Sequence, residues 1–462
     1  DLRSEDSTSV GSTNEVPSVI TITGNDGEDL FIPSSSTLRF DCGSAQTGDA
    51  IRFNLASGAT GLIDGTLVFQ RSNSGSGPDH ELVAQDAGAI AVNGDIIAEA
   101  LLGNGWHPFG SSGSPGSVVF QSGSTYEYFA GGSPFGDSGQ PAQCILNEGS
   151  TYIHKGAQVF QTSGRQYANF EYDFAGGDDL NSGGSGWEVD TLRILDGPLT
   201  VTGSSLNPAP FPISISGDLE VLGGLIYQPL EESTLLFNGY QRQNIFGSGL
   251  LQLSDLVELE INNSAIGIGV MIQKNLELFN DLNIISGEVQ GTGISLTMSG
   301  VDHNLNVNDD LFGEFPGINN EINLIVAENT TISGSSGLCE FFDLTVNSNK
   351  SLVLERNVQC INGTFEIQDG AILQINNNGF VESNKPGAVS PTYNPNSFLI
   401  YNSGSFYNRN VEWISETING SGYPYNVIIR NGTTLNPGAF GYNDDPLSLQ
   451  NDLEIESGAD LF

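Results

Sequence analysis

The amino-acid sequence predicts an all-β protein that folds as a right-handed parallel β-helix, a solenoid of stacked coils. Three observations predict it: a short strand motif that recurs, spacings of about one coil between related motifs, and a composition typical of many short strands. The 462 residues include 59 Gly but only 15% charged residues, which suits short strands joined by turns. Heptads and long amphipathic helical stretches are absent from the sequence, which argues against a helical bundle.

The recurring motif is a single short strand with its turn, and it has four copies. In each copy, an apolar residue is followed two positions later by a β-branched one and five positions later by glycine. This alternation predicts a half-buried strand, and the glycine marks its turn. Because so short a strand cannot bury its face alone, repeated copies imply that the coils stack on one another. The copies occupy residues 217–224, 280–287, 363–370 and 451–458.

A second motif, with an apolar start and a closing Asn, precedes three of these copies. Its central residues are Leu259, Leu344 and Ile428, which follow one another at two nearly equal spacings. From each of them to the next copy of the first motif, the spacing is in the low twenties. The sequence therefore predicts coils of twenty-odd residues. It also predicts a longer period of four coils, equal to the distance from Leu259 to Leu344.

The N-terminal part predicts a lead-in followed by the first coils. Residues 1–16 are rich in Ser, Asp and Glu and predict a flexible segment. Strand-like alternation begins at residues 19–22 and returns up to residue 69. We therefore expect residues 17–105 to form the first coils of the β-helix, with a cap.

Two tandem units are the main feature of the next segment, residues 106–212. The tripeptide Pro-Phe-Gly occurs at 108–110 and 134–136, and the tetrapeptide Gly-Ser-Thr-Tyr at 123–126 and 149–152. Both repeats have the same spacing, so each unit is predicted to be one coil. Tyr126 should then stack on Tyr152, and Phe109 on Phe135.

A loop and a regular array complete the chain. The Gly-rich stretch 176–186 predicts a loop that leaves the coil. From residue 213 to residue 462, the motifs described above predict regular β-helix repeats, which we expect to continue beyond the end of the chain.

The charge balance limits the partners of this chain. It contains 55 acidic and 14 basic residues, for a net charge of −41. Such a surface repels nucleic acid, whose recognition requires clustered Lys and Arg. No run reaches the roughly 18 apolar residues of a transmembrane segment. A surplus of acid favours solubility, divalent-cation binding or life in salty water, and composition alone does not separate the three.

Cys339 and Cys360 are the cysteines whose spacing suggests a bond. They are separated by about one coil, so they are expected on adjacent coils at a separation close to that of a disulfide. We predict that they form a disulfide. The alternative is a pair of buried free thiols in one ladder. Cys42 and Cys144 are much further apart in the sequence and need not meet.

Calcium is the one ion that the acidic turns suggest, and no motif requires another cofactor. Three turns rich in Asp and Asn offer several hard oxygen ligands. None has the spacing of an EF-hand loop, and solvated turns are the alternative at each place. The candidate ligands are Asp26, Asp29, Asp309, Asp310, Asp444 and Asp445.

Several stretches resemble large secreted proteins of Bacteroidetes, which are parallel β-helices exported by the type 9 secretion system. The resemblance rests on residues 120–126, the Pro-Phe-Gly units, residues 164–170 and residues 236–249. It implies an extracellular or cell-surface location and a role in adhesion or gliding, and it carries over no catalytic residue. It also implies O-glycosylation at Ser7 and Thr191, each of which follows an Asp and precedes Thr or an apolar residue.

The function expected from these features is structural: an exported adhesin, stalk or fibre-forming β-helix without catalysis. The alternative is a carbohydrate-active β-helix, either a polysaccharide lyase or a glycoside hydrolase. A hydrolase needs two carboxylates across a groove, and the acidic pairs that could supply them lie in turn-like contexts. These pairs are Asp178 with Asp179, Asp309 with Asp310, and Asp444 with Asp445.

Two partners are expected: surface glycans and other copies of the chain. The last motif leaves apolar residues at 453–455 and 459–462 without a cap. Because unpaired strand edges recruit other strands, we expect this end to be covered by further sequence or by another copy. Head-to-tail contacts of that kind could propagate into a filament.

Overall fold

The chain is an all-β protein built from parallel strands that stack as a β-solenoid, as the sequence predicts. It divides into two compact units, Asp1–Glu231 and Glu232–Phe462. Among the described residues, no helix is long and apolar enough to cross a membrane. The computed structural model describes residues 2–3, 8–10, 18–24, 27–42, 51–71, 80–99, 107–110, 114–137, 139–157, 160–162, 165–180, 186–202, 210–291, 293–300, 302–308, 311–312, 321–334, 338–414, 420–438 and 447–462.

Unit one consists of short parallel strands, each paired with a strand one coil earlier or later. The β1–β4–β7–β10–β12–β14 sheet is one wall, and a longer sheet that runs from β2 through β5, β8, β11, β13, β15 and β16 to β18 is another. Two smaller sheets, β3–β6–β9 and β17–β19–β22, complete the coils. The strands are β1 Leu2–Arg3, β2 Thr8–Val10, β3 Ser18–Ile22, β4 Leu30–Ile32, β5 Thr37–Cys42, β6 Ile51–Leu55, β7 Gly61–Ile63, β8 Thr66–Arg71, β9 Glu81–Ala84, β10 Ile90–Val92, β11 Asp95–Ala98, β12 Val118–Phe120, β13 Thr125–Tyr128, β14 Cys144–Leu146, β15 Thr151–His154, β16 Gln166–Asp173, β17 Asp178–Leu180, β18 Trp187–Asp196, β19 Pro198–Val201, β20 Ile213–Ile215, β21 Leu219–Val221 and β22 Gly224–Tyr227.

Unit two repeats a coil of three strands, and most of its strands lie on one of three faces, whereas β45, β47 and β49 form a separate sheet. The first face runs β23–β26–β29–β32–β35–β38–β41–β44–β46–β48, the second β24–β27–β30–β33–β36–β39–β42, and the third β28–β31–β34–β37–β40–β43. The strands are β23 Ser233–Phe237, β24 Gln243–Phe246, β25 Leu250–Leu253, β26 Val257–Asn262, β27 Ile268–Ile272, β28 Leu276–Leu278, β29 Leu282–Ser286, β30 Glu288–Gly291, β31 Ile294–Met298, β32 His303–Val307, β33 Leu311–Phe312, β34 Ile322–Val326, β35 Thr330–Gly334, β36 Leu338–Phe341, β37 Asp343–Val346, β38 Ser351–Leu354, β39 Asn357–Cys360, β40 Phe365–Ile367, β41 Ile372–Asn376, β42 Phe380–Val381, β43 Thr392–Tyr393, β44 Phe398–Asn402, β45 Phe406–Asn408, β46 Asn426–Ile429, β47 Thr434–Asn436, β48 Leu453–Ile455 and β49 Asp460–Leu461.

Rows of identical or similar apolar side chains fill the interior. On the third face, register partners form a row of leucines that ends on a phenylalanine, and every member is buried. Side chains alternate between the two sides of a strand, so every second residue of each strand joins such a row. The members of this row are Leu276, Leu296, Leu324, Leu344 and Phe365.

Turns between the faces use residues that tolerate a left-handed backbone. Several asparagines in unit two have positive φ, among them Asn349 and Asn378, with values of 60° and 70°. Asparagine adopts this conformation more readily than most residues. At Gly334 (φ 123°), a Cβ atom would lie 2.0 Å from the carbonyl oxygen of Val307 on the preceding coil. That position therefore requires glycine because the coils approach so closely.

The predicted stacking of the tandem units is confirmed for the tyrosines. Tyr126 pairs with Tyr152 in register, and their ring centres are 5.5 Å apart and stacked. Both rings are buried, so the ladder belongs to the core. Leu259 also pairs with Leu282, as predicted for the regular array. The short period of the sequence is therefore the coil.

The predicted longer period, from Leu259 to Leu344 and on to Ile428, is wrong. Leu259 and Ile428 lie on the first face, whereas Leu344 lies on the third. Four coils after Leu259, the register reaches Leu354 and not Leu344. The motif recurs on different faces because alternation followed by a turn describes one strand, and every coil has three such places.

Strands occur in two segments that the sequence predicts to be irregular. Strands β1 and β2 lie within the segment expected to be a flexible lead-in, and they pair with β4 and β5 of the next coil. The predicted segment boundaries at residues 105 and 212 stay predictions, and the two compact units are a separate division of the chain. Part of the predicted loop at 176–186 is strand β17. Polar sequences can still form ladder strands because backbone hydrogen bonds do not depend on the side chain.

A large-to-small change in the leucine row tests the packing of unit two. We expect Leu324→Ala to destabilise the fold by about 2–5 kcal/mol, because Leu324 is fully buried between Leu296 and Leu344. The matched control is Leu250→Ala, since Leu250 is 56% exposed, and it should cost less than about 0.5 kcal/mol. Urea unfolding followed by far-ultraviolet circular dichroism measures both. Equal losses for the two variants would contradict this account of the core.

Candidate functional site

A cavity of about 340 Å³ lies in unit one, beside the last strand of the β1–β14 sheet. The coil before it runs from Thr125 to its register partner Thr151, and the next coil runs only from Thr151 to Asn169. Among the described strands, none continues the sheet past β14. The shorter coil therefore leaves a gap in the wall, and this gap is the cavity.

Arg165 is the basic residue among the described residues that line this cavity, and it is only 6% exposed. Its Nη2 donates to the backbone oxygen of Asp137 (3.0 Å), and its Nε donates to Oε1 of Gln161 (3.4 Å). The guanidinium carbon lies 5.6 Å from the ring centre of Phe135, and such cation–π contacts hold an arginine in place.

The partners of Arg165 are all neutral. In the described part of the chain, no carboxylate oxygen lies within 4.0 Å of a guanidinium nitrogen of Arg165, so no ion pair forms there. Its Nη1 likewise has no hydrogen-bond acceptor among the described residues, and this atom is not sealed from solvent. The wall of the cavity therefore carries a positive charge, and Nη1 of Arg165 is a hydrogen-bond donor without an acceptor among the described residues.

The rest of the wall is half apolar. Cys144 and Leu146 are buried members of β14, whereas Ile145 between them is 47% exposed. Burial raises the pKa of the Cys144 thiol well above its usual range, while the charge of Arg165 lowers it slightly. The thiol is therefore neutral and contributes an apolar surface.

Gln166 and Glu188 form the polar edge of the cavity. Nε2 of Gln166 donates to Oε2 of Glu188 at 2.9 Å, and both side chains are exposed. The two residues are register partners at the starts of β16 and β18. Arginine, glutamine, glutamate and an apolar floor together form a small amphipathic pocket.

The predicted calcium ligands are only partly within the described residues. The carboxylate of Asp29 accepts a hydrogen bond from the backbone N–H of Thr60 at 2.9 Å, and so it braces a turn of the next coil. In the described ranges, no group of three or more His, Cys, Asp or Glu could hold a metal ion. The other candidates, Asp26, Asp309, Asp310, Asp444 and Asp445, lie outside the described residues. Calcium binding stays a prediction.

The predicted disulfide is not formed, because both Cys339 and Cys360 are free and buried. They do lie on adjacent strands of the second face, as expected. In the register, however, Cys339 faces Val358 and Cys360 faces Phe341. This offset of two positions separates the Cα atoms by about 8 Å, beyond the roughly 7 Å that a disulfide spans.

The remaining candidates are partly placed. Thr191 is half-buried in β18, and Ser7 lies outside the described residues, so glycosylation at both stays a prediction. In the acidic pair of β17, Oδ2 of Asp178 lies 3.8 Å from Nε2 of His154, whereas Oδ1 of Asp179 accepts a hydrogen bond from Thr202. The two carboxylates of this pair therefore have separate neighbours.

Glu412 is a second feature that the sequence did not reveal. It is fully buried, and both of its carboxylate oxygens accept from the backbone N–H of Asn410, at 2.9 and 3.0 Å. The hydroxyl of Tyr401 donates to the same carboxylate at 3.2 Å, and that of Tyr393 to the backbone oxygen of Glu412. Burial raises the pKa of Glu412 to about 7, although the hydrogen bonds from Asn410 lower it.

Arg165 and Glu412 could have been suspected from one signal in the sequence. The chain has only 14 basic residues and few charges overall, so a charge inside a strand-rich segment is unusual. Nothing in the sequence showed which of these charges would be buried, because burial depends on the coil to which a residue is assigned.

Comparison with known proteins gives no family by which to identify the chain. Neither a protein-family model, nor a curated protein, nor a solved structure matches it. The class that its structure defines is the parallel β-solenoid.

The thiol chemistry follows from the register. We expect non-reducing mass spectrometry to show peptides that contain Cys339 and Cys360 without a link between them. Burial raises the pKa of both thiols, so alkylation should be slow in the folded protein and complete in urea. Cys144, which is also free and buried, serves as the internal comparison. A linked pair of peptides would contradict the register offset.

The buried carboxyl group predicts a pH-dependent stability of unit two. Because the folded pKa of Glu412 is about 7 against an ordinary value of 4.5, the unfolded chain loses its proton first as the pH rises. Stability should therefore fall by up to about 3 kcal/mol between pH 4.5 and pH 7 and then level off. Glu412→Gln should remove this fall. The difference between the melting temperature of the variant and that of the wild type should therefore increase in favour of the variant as the pH rises.

The control for this experiment is Glu454→Gln, because Glu454 is exposed. Thermal unfolding from pH 4 to pH 8 should give parallel curves for this control and the wild type. Parallel curves for Glu412→Gln and the wild type would show that Glu412 keeps an ordinary pKa.

Proposed function

We propose that this chain is an exported structural protein of the cell surface, in which a β-solenoid scaffold presents rows of side chains to a partner. The observation that carries the proposal is the in-register stacking of coils over buried rows of apolar and aromatic residues. Such stacking fixes the backbone at a rise of about 4.8 Å per coil. Outward side chains therefore form ordered rows, which suits adhesion. Export and a type 9 route rest on the resemblance of the repeat motifs alone.

One corner of unit two offers a surface for such contact, which we call the apolar ridge. It consists of Tyr240 and Ile266, in turns between the first and second faces, and Ile285, near the end of β29 on the next coil; they are 64%, 106% and 41% exposed. Backbone hydrogen bonds join the three coils at this corner. The N–H of Ser264 donates to the carbonyl oxygen of Gly239 (2.9 Å), and the N–H of Asn263 donates to the carbonyl oxygen of Ser286 (3.0 Å).

Exposed apolar side chains in a row favour a binding role, because clustered apolar surface is costly to hydrate and often marks contact sites. Polar groups lie close to the ridge. Arg242 donates to the side-chain oxygen of Asn244, which also accepts from Gln273 of the next coil. Tyr240 and Arg242 belong to the same turn between β23 and β24, and an aromatic ring together with guanidinium and amide donors suits the apolar faces and hydroxyl groups of sugars. Surface glycans are therefore the proposed partner.

A carbohydrate-active enzyme is the second candidate, and the cavity of unit one is the observation that favours it. Glu188 is the carboxylate among the described residues that line this cavity, and Arg165 is the basic residue. Release of new reducing ends from acidic or neutral polysaccharides would support this function over the structural one.

The adhesive role predicts that changes on the ridge weaken attachment. We expect the double variant Tyr240→Ser/Ile266→Ser to reduce binding of protein-coated beads to a glycan array by at least about tenfold, since both side chains are solvent-exposed anchors. The matched control is Leu250→Ser, an exposed leucine away from the ridge. Antibody labelling of intact cells that make the protein tests its location. Binding that is unchanged in the double variant, or labelling only after lysis, would contradict the proposal.

A further inference from the structure

We propose that the cavity beside β14 binds a small organic carboxylate, whose charged group is held by Arg165. This site is independent of the adhesive role proposed for unit two. It rests on the geometry of the cavity wall and on the charge of its buried arginine.

The first argument is the uncompensated charge. A buried guanidinium with only neutral partners is costly, because it loses most of its hydration without gaining a counter-charge. Arg165 is 6% exposed, and its two hydrogen bonds go to a backbone oxygen and an amide oxygen. An anion in the cavity would supply the missing counter-charge. Charge-assisted hydrogen bonds from arginine to a carboxylate are among the strongest in proteins.

The second argument is that the arginine is held in position while one nitrogen is left over. Nε and Nη2 are fixed by Gln161 and Asp137, and the ring of Phe135 lies under the guanidinium. Nη1 has no acceptor among the described residues. Since the side chain is held before the ligand arrives, little rotamer entropy is lost on binding.

The lining of the cavity indicates that the anion carries an organic group. Leu146, Ile145 and the neutral thiol of Cys144 provide the apolar part of the lining. The volume of about 340 Å³ is at the lower end of the roughly 300–1,000 Å³ that small-molecule pockets span. A short acid with an apolar or sugar-ring body suits this size and this lining better than an inorganic ion.

A cation is the less suitable occupant. Hard cations require several oxygen ligands, whereas Glu188 is the one carboxylate among the described lining residues and is already bonded to Gln166. The negative charge of Glu188 at the edge of the cavity should weaken the binding of an anion slightly. A variant that removes this charge should therefore strengthen binding, whereas removal of Arg165 should weaken it.

Binding is measured by ligand-detected nuclear magnetic resonance and calorimetry with the full chain at low salt. The probes are hexanoate with its neutral counterpart hexanamide, glucuronate with glucose, and inorganic phosphate. We expect at least one organic carboxylate to bind at least about tenfold more tightly than its neutral counterpart and more tightly than phosphate. The better of the two acids shows whether an aliphatic chain or a sugar ring is preferred.

Four variants test the assignment to this cavity. Arg165→Gln should weaken the best probe at least about tenfold, and Glu188→Gln should strengthen it a few-fold. Ile145→Glu places a carboxylate at an exposed position of the wall and should weaken binding strongly without disturbing the fold. Asp95→Asn changes the net charge by the same amount as Glu188→Gln at an exposed position away from the cavity, and it should have no effect.

Several results would overturn the proposal. They are failure of both organic acids to bind below about 10 mM, equal binding of the neutral counterparts, or binding of phosphate alone. If Arg165→Gln does not fold, Ile145→Glu decides the question, and wild-type affinity in that variant would rule out this cavity.

Discussion

The hydrogen bonding of each strand to its equivalent one coil away is the constraint on which the rest of this structure depends. Most described strands are very short, and such a strand cannot bury its apolar side alone. Its stability comes from the rows that it forms with the coils on either side, such as the leucines at 276, 296, 324 and 344. Every side chain in a row must therefore fit the one above and the one below. This requirement explains both the near-identity of residues along a row and the glycine at 334, where two backbones approach closely.

The same constraint places unusual features where the regular stacking is interrupted. A short coil, from Thr151 to Asn169, follows longer ones, and among the described strands the β1–β14 sheet ends at β14, beside which the cavity lies. At a corner of unit two, neighbouring coils that are still hydrogen-bonded to one another carry exposed apolar residues in two turns and at the end of β29. In a solenoid, the interior is used for packing, so binding has to occur at such interruptions and on outward rows.

Buried charges are the third consequence of stacking. Arg165 and Arg409 are almost fully buried, and their described hydrogen bonds go to uncharged oxygens: Asp137 and Gln161 for the first, Trp413 and Pro437 for the second. Backbone carbonyls at the interior edge of a coil accept hydrogen bonds from both guanidinium groups but carry no counter-charge. For Arg409 the charge acts on the carboxylate of Glu412, whose pKa it lowers. Glu412 uses the converse arrangement, with backbone and hydroxyl donors around a carboxylate in an aromatic environment. Burial raises the pKa of the Glu412 carboxyl group, whereas Arg165 lines the wall of a cavity.

The sequence by itself determined the class of fold, the coil length and local register. Alternation and turn residues act over a few positions, so they predicted parallel stacking and the pairs Tyr126 with Tyr152 and Leu259 with Leu282. The tertiary structure decided which face each strand occupies, and so it overturned the longer period and the disulfide between Cys339 and Cys360. It also decided which charges are buried and where the wall is open. These properties depend on the lengths of the turns that join the strands, and a small shift in a turn changes a register without altering the strand pattern that the sequence displays.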